Sequence, residues 1–218
     1  MRLYLSSYRL GDHVDKLLDL LPVKPNVSLV ANALDVFSDN DRQRHMAEIY
    51  DPEQELKSLG FSVSELDLRT YFNRSDDLEN QLARSDLIWV LGGNSFVLRR
   101  AMALSGFDSL ATRLLRSDTI AYGGFSAGAV VAAPTMDGIH LMDDPNEIPQ
   151  NYPAKPLWEG LGWTDFSIIP HFKSNHPEAE NAEATKTDVA KRGMPFRTLK
   201  DGKVLLNKGN GFELLSKT

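Results

Sequence analysis

In Gly124-Phe125-Ser126-Ala127-Gly128 a serine stands between two glycines, each two positions away. A serine that projects from a sharp strand-to-helix turn sits on strained backbone, and only very small neighbours two before and two after it avoid a clash. Ile120–Tyr122 reads as the buried strand leading in, and Ala127, Ala129, Val130 and Val131 as the helix leading out. In that setting Ser126 Oγ is a candidate nucleophile, and backbone N–H groups at the turn favour negative charge developing on a substrate oxygen. The same spacing also suits a serine that only caps a helix after a glycine-rich strand exit.

A second strand, Leu87–Leu91, ends in Gly92-Gly93-Asn94-Ser95-Phe96. The Gly93 amide could form half of an oxyanion hole, with the Ala127 N–H as the other half. The competing readings are a phosphate cradle or a plain tight turn. Neither a Walker lysine nor the full dinucleotide fingerprint accompanies the glycines, which counts against a nucleotide.

A serine needs a base, and near neutral pH histidine is the usual one. Of the five histidines, His13 and His45 sit in polar surroundings that read as surface, and His140 and His176 in loop-like segments. His171 follows Ser167-Ile168-Ile169-Pro170, where a buried strand emerges. Ligand sites of open α/β sheets gather at the carboxyl ends of strands, which places Ser126, Gly93 and His171 on one rim. A zinc pair of His171 with His176 lacks a further obvious ligand, so no metal is expected. For the orienting acid the residues leave alternatives open. Asp201 lies in an Asp-Gly sequence that also suits an ordinary hairpin turn, and Asp137, Asp143 and Asp144 compete with it.

These groups must be held by the elements around them. Apolar, β-branched runs at Leu3–Leu5, Val27–Ala31, Ser62–Leu66, Leu87–Leu91, Ile120–Tyr122 and Ser167–Ile169 read as strands. Helical spacing appears in Met46, Ile49, Tyr50, Leu56 and Leu59, with Pro52 breaking or kinking it, and again at Leu78–Arg84, Phe96–Leu104 and Ser109–Arg116. The alternation predicts an α/β fold, a mainly parallel sheet flanked by helices on both faces, within one domain over 1–218. Phe196–Leu199, Lys203–Leu206 and Phe212–Leu215, split by glycine turns, predict a small C-terminal antiparallel meander. Asp137–Leu157, with Pro145, Pro149, Pro153 and Pro156, reads as a long loop.

With 42% apolar and 25% charged residues the chain can bury an ordinary core. A net charge of -6, with scattered Lys and Arg, leaves no footprint for nucleic acid. There is no cysteine, so any nucleophile is an oxygen and no disulfide is available. The first residues are too polar for a signal-peptide core and no stretch approaches a membrane span, so a cytoplasmic protein without a membrane partner is expected.

Three segments taken together resemble peptidase E, the aspartyl dipeptidase family of serine peptidases (S51). They are Gly92-Gly93-Asn94-Ser95-Phe96, then Gly124-Phe125-Ser126-Ala127-Gly128-Ala129 with Pro134-Thr135, then Ile169-Pro170-His171-Phe172. The similarity runs from about Val27 to the C-terminus. It implies a class I glutamine amidotransferase-like, flavodoxin-like three-layer fold in which serine replaces the usual cysteine. It implies a triad of Ser126, His171 and Asp201, the last standing where the family has glutamate in Leu-Pro-Glu-Gly. Asn94, Asp137 and Lys186 are the positions it offers for substrate binding, Lys186 lying one position from the family's arginine. The implied activity is hydrolysis of short peptides, dipeptides with N-terminal aspartate above all, through an acyl-enzyme. The Asp137–Leu157 loop would exclude long substrates, no cofactor is needed, and the protein is expected as a monomer or homodimer. An esterase, a cyanophycinase-like peptidase, or a silent domain that binds a metabolite are the alternatives. The last is motivated by the shorter acid and the missing arginine.

Overall fold

Leu87-Ile88-Trp89-Val90 is apolar without alternation, as a strand covered on both faces requires. In the computed structural model, which describes residues 1–216, it is an interior strand of a seven-stranded sheet. The strands in chain order are β1 (Arg2–Ser6), β2 (Asn26–Val30), β3 (Ser62–Glu65), β4 (Leu87–Val90), β5 (Ala121–Phe125), β6 (Ser167–Ile169), β7 (Phe196–Thr198), β8 (Val204–Lys208) and β9 (Phe212–Leu215). The helices are α1 (Val14–Leu18), α2 (Asp39–Glu48), α3 (Pro52–Ser58), α4 (Ser75–Leu82), α5 (Ser95–Ser105), α6 (Phe107–Arg116), α7 (Ala127–Val130) and α8 (Ala179–Lys191). The side chains of Asp39, His45, Met46, Ala47 and Ser75 lie outside the described residues, and with them the expected surface position of His45.

The sheet order is β3-β2-β4-β5-β1-β8-β9. The strands β3, β2, β4, β5 and β1 run parallel, while β8 joins β1 and β9 joins β8 in antiparallel fashion. Successive side chains point to opposite faces. Leu3, Leu5, Ile88, Val90 and Tyr122 therefore meet the apolar sides of α5, α6 and α7. Tyr4, Val27, Leu29 and Trp89 meet Leu17 of α1 and Leu56 of α3 on the other face. Gly123 is required beneath Trp89, where an added Cβ would fall 2.5 Å from the indole ring.

The C-terminal meander needs a correction. β8 and β9 form the antiparallel pair, but β7 pairs in parallel with β6 in a separate two-stranded sheet. The reason is α8, which lies between them in the chain: a helical crossover returns the second strand in the direction of the first. Pro52 separates α2 from α3 by occupying the first position of α3, where its missing N–H costs nothing, and Asp51 caps the helix by accepting Gln54 N–H at 2.9 Å. Among the described residues no helix is long and apolar enough to cross a membrane.

Asp137–Leu157 is irregular apart from the short 3-10 turn Ile139–Leu141. Arg100, fully buried on α5, fastens it by donating to the carbonyls of Pro145 (2.5 Å), Glu147 (3.1 Å) and Lys155 (3.3 Å). The segment is thus tied to the body of the fold.

Candidate active site

β5 ends at Phe125 and α7 begins at Ala127, leaving Ser126 alone on the bend with φ 47° and ψ -116°. Positive φ is rare for a residue with a side chain and persists where its surroundings enforce it. Here the Ser126 N–H donates to the carbonyls of Ser7 (3.2 Å) and Ser6 (3.3 Å) at the end of β1. The flanking glycines have the expected use. A Cβ on Gly128 would fall 2.4 Å from the Val90 carbonyl oxygen, and one on Gly124 would fall 2.9 Å from the Gly128 backbone.

The end of β4 lies against the same serine. An added Cβ on Gly92 would sit 3.1 Å from Ser126 Cβ, and Gly93, at φ 133°, passes so close to Ala33 that a Cβ would meet its carbonyl oxygen at 2.5 Å. Ala127 opens α7, so its N–H has no carbonyl one turn back to bond.

His171 is 1% exposed and has φ 59°. Its Nδ1 lies 2.9 Å from Asp201 Oδ1. A carboxylate accepts from Nδ1–H, which leaves Nε2 as the acceptor in the neutral ring. Ser7 links the two residues: its Oγ accepts the His171 N–H at 2.8 Å and donates to Asp201 Oδ1 at 2.7 Å. Ser174 Oγ accepts the Asp201 N–H at 2.8 Å. Burial works against ionisation of Asp201, but the hydrogen bonds from His171 and Ser7 outweigh it and hold the carboxyl below its ordinary value.

Ser126 and His171 line one cavity of about 870 Å³, at the carboxyl ends of β1, β4 and β5. Among the described residues Ser126 Oγ makes no hydrogen bond, so its contact with His171 Nε2 is open in this state. Catalytic hydrogen bonds often tighten only when substrate is bound. Tyr8 packs edge-on against His171, with ring centroids 6.1 Å apart, and His176 stacks on His171 at 3.7 Å. Burial and the neighbouring His171 both push the His176 imidazole below its ordinary value.

Three residues expected at the substrate stand outside the cavity lining. Asn94 does not line the cavity. Its Oδ1 caps α5 by accepting the N–H groups of Phe96 (2.8 Å) and Val97 (3.1 Å), and its Nδ2 donates to Asp144 O and Glu147 Oε2. Asp137 pairs with Arg192 at 3.0 Å outside the cavity. Lys186 lies on α8, also away from the cavity lining. Nor does any residue of Asp137–Leu157 line it; much of the lining comes instead from the segment between β2 and α3 and from the end of β3 with the residues after it.

That wall carries the charges that sequence reasoning missed. Arg42 reaches Asp35 (3.3 Å) and Glu65 (3.4 Å), and Arg69 forks onto Asp67 and lies 3.7 Å from Asp35. The buried Asp35 also accepts from Asn32 and Tyr152. Ser7 and Tyr8 were also missed, although they directly follow β1 and the strand-end rule that singled out His171 applies equally to them. His171, His176 and Glu178 offer ligand atoms within 4.8 Å of one another. The stacked rings, 7° from parallel, do not aim their nitrogens at a common point, so holding an ion would require one ring to turn.

The sequence model of peptidase family S51 matches residues 12–215. An uncharacterised peptidase of Listeria monocytogenes is 33% identical over 143 residues, 65% of this chain and 65% of its own length. A Drosophila melanogaster protein named as a probable alpha-aspartyl dipeptidase is 30% identical over 167 residues, 74% of this chain and 62% of its own length. The chain thus spans less than two thirds of these two curated relatives. Among solved structures, a candidate peptidase E from Listeria monocytogenes superposes with a TM-score of 0.80 at 24% identity, covering 100% of this chain and 98% of that one. A peptidase from an acI-B1 Actinobacterium gives 0.68 at 14% identity, covering 99% and 87%. At these identities the structural matches speak for the fold.

Proposed function

Because the chain belongs to peptidase family S51, we propose that it is a serine-type peptidase that hydrolyses short peptides through an acyl-enzyme on Ser126. The observation that carries this reading is the 2.9 Å contact of His171 Nδ1 with Asp201, which leaves His171 Nε2 without a hydrogen-bond partner among the described residues, beside the cavity that Ser126 also lines.

Ser126 Oγ attacks the peptide carbonyl as its proton passes to His171 Nε2. The N–H groups of Gly93 and Ala127 receive the oxyanion. Collapse breaks the C–N bond, and the leaving amine takes the proton from His171. Water, deprotonated by the same nitrogen, then cleaves the Ser126 ester and restores the serine. Asp201 holds the ring in the tautomer this needs and stabilises the imidazolium that forms. The shorter acid motivated the silent-domain alternative, yet its carboxylate reaches His171 because Ser7 and Ser174 draw the Asp201 backbone and side chain inward.

The finer expectation is a dipeptidase acting on N-terminal aspartate. The wording of the fly relative's name supports it. Reading an aspartyl side chain requires a cation in the cavity, and Arg42 and Arg69, the lining residues of that charge, are already paired with carboxylates of the cavity wall, which counts against that finer reading. The test is chromatographic detection of free amino acids from Asp-Leu, Ala-Leu and β-aspartyl-Leu, with wild-type and Ser126→Ala protein. Turnover of any of them that vanishes with Ser126→Ala supports the proposal, and turnover that survives it overturns the proposal. Hydrolysis of simple esters alone would move the reading to an esterase on the same scaffold.

A further inference from the structure

The cavity's charges are unequally satisfied. Four of its lining carboxylates have a cationic partner: Asp41 with Arg44 at 3.4 Å, Glu53 with Lys57 at 2.5 Å, Glu65 with Arg42 at 3.4 Å, and Asp67 with Arg69 at 2.8 Å. Both lining guanidinium groups are therefore engaged, and both also lie within ion-pair distance of the buried Asp35. Arg9 rests over the Tyr50 and Tyr8 rings, 4.2 and 4.9 Å from their centroids, and does not line the cavity. Glu178 differs from all of these. Among the described residues it has no Lys or Arg partner, and its Oε2 stands 3.8 Å from His171 Nε2, within ion-pair distance but beyond hydrogen-bond reach.

The backbone of a substrate brings a cation to that place in one way. When a carbonyl sits between Ser126 and His171, the nitrogen of the same residue lies about 2.5 Å from the carbonyl carbon, from the ordinary N–Cα and Cα–C bond lengths and angle. That nitrogen is a charged ammonium only in the first residue of a peptide. A carboxylate beside the general base is therefore placed to meet a free N-terminus and to leave an internal, uncharged amide unmet. An aspartyl side chain, in contrast, would enter a cavity in which Glu178 is, among the described residues, the lining carboxylate without a Lys or Arg partner, and whose guanidinium groups are occupied. Displacing Asp67 or Glu65 from them would leave those carboxylates without a partner.

We propose that Glu178 anchors the substrate's α-ammonium, so that the site cleaves after the first residue and prefers an uncharged or basic first residue over aspartate. This rests on Ser126 being the acylated residue and adds the substrate class to that reading.

The experiment compares kcat/KM for leucine release from Ala-Leu, Lys-Leu, Asp-Leu and N-acetyl-Ala-Leu, in wild-type and Glu178→Gln protein. Ser126→Ala and fluorophosphonate labelling of Ser126 serve as controls. In wild-type protein, acetylation and the aspartyl residue each lower kcat/KM by at least about tenfold relative to Ala-Leu, the equivalent of one well-placed ion pair. Glu178→Gln lowers Ala-Leu and Lys-Leu by a similar factor, mainly through KM, and leaves N-acetyl-Ala-Leu within about twofold. Equal or better turnover of Asp-Leu overturns the proposal. So does an equal loss of free and acetylated substrates in Glu178→Gln, because Glu178 would then act through His171. Protein that labels at Ser126 yet turns over neither Ala-Leu nor Lys-Leu also overturns it while leaving the nucleophile in place. Turnover that survives Ser126→Ala removes the underlying reading and this one with it.

Discussion

Ser7 and Asp201 stand 194 residues apart in the chain, and Ser7 Oγ donates to Asp201 Oδ1 at 2.7 Å while accepting the His171 N–H at 2.8 Å. One hydroxyl at the end of the first strand thus fixes both the base and its acid. The antiparallel pairing of β8 with β1, which places Val204 opposite Ser6, brings the 201 turn to that strand end.

Asp201→Asn keeps the shape but offers His171 an amide in place of a carboxylate, and with it the wrong tautomer. The expected loss in kcat is about 10⁴-fold with the fold intact. Ser7→Ala leaves the pair in place but strips a hydrogen bond from each member, lowering stability by about 1–3 kcal/mol with a far smaller loss in kcat. Steady-state kinetics and thermal unfolding on both variants separate the two roles.

Burial pushes the Asp143 carboxyl up to about 6, against the hydrogen bond that it accepts from Ser95 N–H. Its folded value lies above its unfolded one, so its contribution to stability is complete below about pH 4 and is lost as pH rises through about 6. Asp201 has the opposite sign, contributing above about pH 4 and losing that contribution as pH falls through its depressed folded value. Asp143→Asn keeps an acceptor for Ser95 without the buried charge. Its Tm is expected several degrees above wild type at pH 8, from about 2 kcal/mol, and equal to wild type near pH 4. A lower Tm at both pH values would contradict this.

Asn94 caps α5 and ties down the loop at Asp144 and Glu147. Asn94→Ala is expected to cost about 1–2 kcal/mol of stability, seen in chemical unfolding, with KM for any cleaved dipeptide unchanged. A large rise in KM without loss of stability would return Asn94 to the substrate.

Arg100 holds four loop carbonyls, those of Pro145, Glu147, Ala154 and Lys155, from a fully buried position. Arg100→Met removes those donors and leaves the carbonyls without them, at about 1–3 kcal/mol each when they stay buried. Limited proteolysis should then cut between residues 143 and 157 well before wild type is cut there.

The serine bend was legible because its glycines answer a local demand, the approach of Gly128 to the Val90 carbonyl. The interior strand β4 was legible because burial on both faces leaves a continuous apolar run. The pairing of β7 was not, since a three-residue strand takes its partner from the helix before it and not from its own pattern. The capping role of Asn94 was not legible because an asparagine after two glycines suits a binding residue and a helix cap equally, and only the fold brings the Phe96 and Val97 amides to its Oδ1. Arg42, Arg69 and Glu178 were silent for another reason. Charged residues in polar segments read as solvated surface until a fold turns them toward a common space.

The central claim is that Ser126 is the nucleophile served by His171. Fluorophosphonate labelling of the wild-type protein, followed by peptide mapping in a mass spectrometer, tests it most directly. One adduct on Ser126, formed at least about 100-fold more slowly in His171→Ala, is the expected result. An adduct on another residue, or none in protein shown to be folded, would contradict it.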